Sequence, residues 1–152
     1  MALKKKLEEG LRSALKARQG FQVNAFREMI GAFRYAEIDK NRELTESDEI
    51  EVLSKLKKRH LESIEAFEKG NRADLVNQER EELKVVEQFL PGPLAPEEIK
   101  QMVTQAISDL GARSIKDLGK VMAALKAQYL GRADGKVVSE EVKGQLSELG
   151  GS

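Results

Sequence analysis

The chain has no cysteine and no tryptophan. Without a thiol there is no disulfide, no thiolate nucleophile and no zinc–cysteine site, as expected of a reducing, cytoplasmic setting. Aromatic residues are scarce, five Phe and two Tyr in 152 residues, so a core has to be built mainly from Leu, Ile, Val and Ala. No apolar run approaches the ~20 residues needed to cross a bilayer. The amino terminus, Met1-Ala-Leu-Lys-Lys-Lys-Leu-Glu-Glu9, lacks the apolar stretch that would follow the lysines of a secretory signal. Net charge is zero, 26 basic against 26 acidic side chains, which excludes a whole-chain polyelectrolyte attraction to nucleic acid. Proline occurs only at Pro91, Pro93 and Pro96.

What is present is charge, 34% of the residues, interleaved with apolar residues at helical spacing. The spacing predicts an all-α protein with four helices before the prolines and three after them. The first runs about Leu3 to Ala17 and the second about Val23 to Asp39. The third is capped by Thr45, with Asp48 placed for a capping box, and runs to about Glu68. The fourth covers about Arg72 to Leu90. Proline lacks a backbone donor and disfavours α geometry in the residue before it, so this helix should end near Leu90. Pro96 suits the first turn of a fifth helix, Glu97 to Leu110. Gly111 stops that helix, and Ser114 with Asp117 starts the sixth, Ile115 to Tyr129. Gly131 marks its C-terminal turn. Asp134 caps the seventh, Gly135 to Leu149. The division expected is an N-terminal domain, 1–90, and a three-helix C-terminal domain, 94–152.

Chemistry is thinly marked. His60 falls within the apolar stripe of the third helix, beside Leu53, Leu56, Ile64 and Phe67, and reads as a boundary residue hydrogen-bonded to one neighbour. No metal site, cofactor or catalytic residue is expected. The string Gly131-Arg-Ala-Asp-Gly-Lys-Val137 fails as a phosphate-binding P-loop, because three residues rather than four precede Gly-Lys and Val137 replaces the metal-binding hydroxyl. Glu79, Glu81, Glu82 and Glu87, with Glu62, Glu65 and Glu68, have Lys69, Arg80 and Lys84 in helical range and read as a solvated, salt-bridged face. Two basic groups remain. Lys55, Lys57, Lys58 and Arg59 form a short run. Arg113, Lys116, Lys120, Lys126, Arg132 and Lys136 face only Asp117 and Asp134 in the same stretch, a local excess able to meet phosphates.

The string Lys116-Asp-Leu-Gly-Lys-Val-Met122, followed by Gly131-Arg-Ala-Asp-Gly-Lys-Val-Val-Ser139, resembles the GatB/YqeY domain. Upstream, Lys57-Lys-Arg-His-Leu-Glu-Ser-Ile-Glu-Ala-Phe-Glu-Lys-Gly70, Arg72-Ala-Asp-Leu75 and Glu87-Gln-Phe-Leu-Pro91 look like the YqeY-like proteins in particular. The resemblance covers nearly the whole chain. It implies a bacterial all-α protein whose C-terminal domain is similar to the tail of the B subunit of the tRNA-dependent amidotransferase, a tail that helps hold the tRNA. Glutamine hydrolysis and transamidation belong to other parts of that enzyme with no counterpart here. The resemblance therefore implies tRNA as partner and no active site. Lys116, Lys120, Lys126, Arg132 and Lys136 are the candidate RNA contacts. Gly119 is the candidate for close helix–helix or helix–RNA approach, and Gly131 and Gly135 shape the turn. Two other readings stay open: a protein-interaction module using residues 45–90, with an aminoacyl-tRNA-related protein as partner, and, by family resemblance alone, an amidotransferase-like enzyme.

Overall fold

The computed structural model describes residues 2–150. Met1, Gly151 and Ser152, the outermost residues of the two expected domains, lie outside the described residues. The all-α expectation is borne out: seven α-helices and one short 3-10 turn account for the secondary structure of the described residues. The chain divides into two compact units, Met1–Pro91 and Gly92–Ser152.

The first unit holds α1 (Ala2–Lys16), α2 (Gly20–Lys40), α3 (Glu46–Lys69) and α4 (Ala73–Glu87). Short turns join them, and each contains one residue in the left-handed backbone region. Arg18 (φ 56°), Asn41 (φ 55°) and Asn71 (φ 57°) supply it. Thr45 and Asp48 form the expected capping box, Thr45 Oγ1 accepting from Asp48 N at 3.1 Å and Asp48 Oδ2 from Thr45 N at 2.9 Å. Side-chain pairs run antiparallel along adjacent helices: Lys4 with Glu37, Arg59 with Glu28 and Lys40 with Asp48, Lys57 with Glu87 and Arg80 with Glu68. The core is aliphatic with a few aromatic anchors, including Leu7, Met29, Phe33, Leu53 and Val86, all at most 1% exposed. The α4 helix stops at Glu87, three residues short of the expected end. Gln88 to Leu90 turn instead, which lets Phe89 meet the edge of Phe26 with ring centroids 5.9 Å apart.

The second unit holds α5 (Pro96–Leu110), a 3-10 turn at Ile115–Asp117, α6 (Leu118–Tyr129) and α7 (Gly135–Leu149). The local signals act as read. Pro96 opens α5, Gly111 closes it at φ 66°, and Ser114 and Asp117 box the 3-10 turn. Gly131 turns at φ 78°, and Asp134 Oδ1 accepts from Lys136 N at 2.8 Å to cap α7. The expected sixth helix differs only in its first turn, which tightens to 3-10 geometry. The core is small and valine-rich: Val103, Val121, Leu125, Val138, Val142 and Leu146 are fully buried. Three helices close around these residues by packing valine at close range.

Two substitutions test this packing. Leu53→Ala empties a fully buried site and is expected to cost about 2–5 kcal/mol in urea denaturation followed by circular dichroism. At Gly10 a Cβ would stand 2.3 Å from the Phe26 ring, which is itself held by Phe89. Gly10→Ala gains at most ~1 kcal/mol of helix propensity against ~1–3 kcal/mol of overpacking. We expect a net loss of stability, and an unchanged or raised midpoint would contradict the packing described.

Candidate functional site

Two places concentrate charge, and they use it in opposite ways. In the second unit, Lys116, Lys120, Lys126 and Lys136 are all exposed. Among the described residues none of them forms an ion pair; every ion pair found lies within the first unit. The two acids of the same stretch are committed to backbone. Asp117 accepts from Arg113 N at 2.9 Å, which holds its carboxyl below the usual range, and Asp134 caps α7. The lysines are left to solvent because their natural counter-charges are spent on helix starts.

The outward side of α6 carries Gly119, Ala123 and Ala127, all exposed. At 100° per residue, Lys120 and Lys126 flank this bare strip on either side. A Cβ added to Gly119 would meet nothing within 4 Å, so no packing inside the protein requires glycine there. Gly131 does require it, at φ 78°. Gly135 needs no left-handed geometry; a Cβ there would touch the Tyr129 ring at 3.6 Å, ordinary contact. Arg132 stands apart from the lysines. It is partly buried, donates from Nε to the Gly92 carbonyl at 2.8 Å, and its own carbonyl accepts from Leu94 N at 2.9 Å. It braces the α6–α7 turn against the segment that enters α5, a role the sequence did not announce.

In the first unit the charges face inward. His60 is not a boundary residue with one partner. It is 4% exposed and uses both ring nitrogens, Nδ1 at 2.5 Å from Glu79 Oε2 and Nε2 at 2.7 Å from Glu28 Oε1. Three helices, α2, α3 and α4, meet at this imidazole. The Glu28 hydrogen bond is the largest cause that raises its pKa to about 9, with Glu79 adding to it against the cost of burial. Glu28 is correspondingly held below the usual carboxylate range by His60, with Arg59 nearby. Glu82 joins them from one helical turn further along α4, buried at 7% exposure and accepting from Gln78 Nε2 at 3.1 Å. Oxygen and nitrogen donors of Glu28, His60 and Glu82 all lie within 4.8 Å of one another.

The reading of the glutamates as one solvated face is thus corrected at Glu79 and Glu82, which point at His60 and into the bundle. It holds for Glu65, Glu68 and Glu81, paired with Lys69, Arg80 and Lys84. The Lys55–Arg59 run is largely neutralised: Lys55 pairs with Glu51, Lys57 with Glu87 and Arg59 with Glu28. Sequence spacing could place each acid on α4 but not choose its partner, because helical neighbours and a residue on another helix compete for the same carboxylate.

A family model described as Yqey-like protein matches residues 4–146. Among curated proteins, the chain is similar to "Altered inheritance of mitochondria protein 41, mitochondrial" of three yeasts. It is 30% identical to that of Kluyveromyces lactis over 140 residues, covering 90% of this chain and 72% of the relative. It is 32% identical to that of Vanderwaltozyma polyspora over 107 residues, 68% of this chain and 58% of the relative. The protein of Lachancea thermotolerans is 31% identical over 107 residues, 68% of this chain and 57% of the relative. The chain therefore spans little more than half the length of two of these relatives. All three come from yeasts, which leaves the expectation of a bacterial source without support. No described helix is long and apolar enough to cross a membrane.

The His60 cluster has a pH signature. A folded-state pKa above the unfolded value of ~6.5 stabilises the fold fully below pH ~6.5, and the contribution is lost as pH rises through about 9. At ~1.4 kcal/mol per pKa unit the loss is at most about 3.5 kcal/mol. Glu28 works from the other side, its contribution being lost on acidification below ~4.5. In metal-free buffer, the unfolding free energy should fall by a few kcal/mol between pH 6.5 and 9.5. In His60→Gln the fall over that window should be largely absent and stability at pH 6.5 should be lower. An equal slope in both proteins would show that His60 is not held charged.

Proposed function

The chain belongs to the YqeY-like protein family, and from that premise we propose a non-catalytic, tRNA-associated accessory protein that meets the phosphate backbone with the outer face of α6. One observation carries this reading: Lys120 and Lys126, without ion-pair partners among the described residues, border a strip of Gly119, Ala123 and Ala127 that is bare and exposed. Small side chains let a rigid polyanion approach the helix closely, and flanking lysines meet its phosphates on both sides. The resemblance to the amidotransferase tail, a tail that helps hold tRNA, supports the same assignment. Arg132 acts here as the brace of the turn rather than as a phosphate contact.

The alternative, a protein-interaction module on the α3–α4 arm, has less to support it. The charges of that arm are already engaged with one another, Lys57 with Glu87 and Arg80 with Glu68, so a partner would have to break existing pairs. The names of the yeast relatives include "mitochondrial". A tRNA-associated role is compatible with mitochondria and cytoplasm alike, because both translate.

Fluorescence anisotropy with labelled tRNA tests the reading. Two phosphate contacts, Lys120 and Lys126, predict an affinity that falls roughly 12-fold between 50 and 200 mM salt. The double charge reversal Lys120→Glu/Lys126→Glu should abolish binding. Gly119→Gln should leave thermal stability unchanged or slightly raised, since its Cβ has open space, yet weaken tRNA binding by obstructing the strip. Undiminished binding by the double variant would refute the α6 face. Retention of a protein partner after RNase treatment, with no tRNA affinity, would favour the interaction module instead.

A further inference from the structure

Four side chains in the first unit are arranged beyond what a single internal ion pair needs. Three carboxylates, Glu28, Glu79 and Glu82, surround one imidazole inside a helical bundle. Glu79 takes the Nδ1 side of His60, leaving Nε2 directed at Glu28 with the Glu82 carboxylate close by. A carboxylate on one imidazole nitrogen, with the other nitrogen facing further donors, is how proteins orient a histidine for a metal. Glu82 is a second and independent feature. It is 93% buried by its 7% exposure, yet among the described residues its one hydrogen-bond donor is the neutral amide of Gln78, and no Lys or Arg pairs with it. A buried carboxylate that makes no direct ion pair is costly. The two Arg and Lys groups nearest in sequence, Arg80 and Lys84, are turned outward to Glu68 and Glu81.

We propose that Glu28, His60 and Glu82 form a binding site for a first-row divalent cation of the zinc class, with Glu79 as the positioning residue for the His60 ring. The donors lie within 4.8 Å of one another. Ligands at ~2.0–2.2 Å from a zinc ion are separated by somewhat less than that, so small side-chain shifts close the set without moving a helix. One imidazole with carboxylate oxygens selects for zinc, cobalt, manganese or iron over magnesium, which favours oxygen alone. On binding, the ion takes the place of the Nε2 proton, which leaves to solvent, and Glu28 turns from hydrogen-bond acceptor to ligand. The ion gives Glu82 a positive charge in direct contact, which no Lys or Arg provides. Because the ligands come from α2, α3 and α4, occupancy ties three helices together at one point.

The test uses the full chain, stripped with a chelator and titrated with Zn2+, and separately with Co2+ for its visible absorption. We expect one ion per chain, a micromolar or tighter Kd, and a raised melting temperature. Glu82→Gln, close to isosteric, should weaken binding at least tenfold. Glu79→Gln should weaken it by about 10- to 100-fold, the usual effect of losing the group that orients a ligating histidine, and should shift the Co2+ spectrum. Glu65→Gln, on the exposed face of α3, should bind as the unmodified chain does. His60→Ala should abolish binding; if it unfolds, the two glutamine variants, checked by circular dichroism, decide the question. Absence of stoichiometric metal, or equal binding by Glu82→Gln and the unmodified chain, would overturn the proposal.

Discussion

A charged imidazole sealed inside a bundle of aliphatic side chains must have its counter-charges delivered to it, and that requirement orders the first unit. Once His60 is buried, α2 has to present Glu28 and α4 has to present Glu79 at hydrogen-bond distance. Removing one partner of such a set typically costs several kcal/mol because it strands a buried charge. The apolar contacts of Leu53, Leu56 and Val86 would tolerate small slides of one helix along another. The imidazole does not, since both of its nitrogens are committed in directions fixed by the ring plane. Hydrophobic burial supplies most of the driving force here, and His60 selects the register in which it is realised.

The second unit solves a different problem with the same overall charge balance. It is small, and its core of valines and leucines leaves no room for a buried ion pair. Its acids in the stretch from Arg113 to Lys136 go to helix starts, where Asp117 and Asp134 satisfy backbone N–H groups that would otherwise lack partners. Its lysines are consequently left facing water. An outward positive surface thus arises from the way this unit starts its helices, and it exists in a protein whose net charge is zero. Whole-chain charge is a poor guide to binding when one half of the molecule neutralises itself internally and the other does not.

How much of this the sequence disclosed depends on the range of the interaction. Signals that act within four residues were legible: the Thr45–Asp48 box, the stop at Gly111, the Asp134 cap, Pro96 at the start of α5. The helical periodicity gave the number of helices and most of their ends. The end of α4 was misplaced because Phe89 leaves the helix to meet Phe26, some sixty residues away. The roles of His60, Glu79 and Glu82 were hidden for the same reason. Their partners lie 19 and 32 residues apart in sequence, and nothing local separates a glutamate that pairs with its neighbouring lysine from one that turns inward. Arg132 was a candidate phosphate contact from its position alone, and its second role was hidden because the Gly92 carbonyl that its Nε binds is 40 residues away. At Gly119 the sequence left tight packing and open approach equally available, and the empty space around its missing Cβ removes the first.

Ionic strength acts on these two arrangements unequally. At physiological salt the Debye length is ~8 Å, which screens exposed lysines efficiently and buried pairs far less. On the proposed reading, the attraction of the α6 face for a polyanion would weaken over a salt range in which the Glu28–His60–Glu79 set is hardly affected. Association and folding would then be uncoupled: the surface would release a partner while the bundle kept its register. A protein that instead held its fold together through the same exposed lysines it used for binding would loosen whenever it let go. Committing His60 and its carboxylates to the interior, and the lysines of α6 to the outside, avoids that coupling.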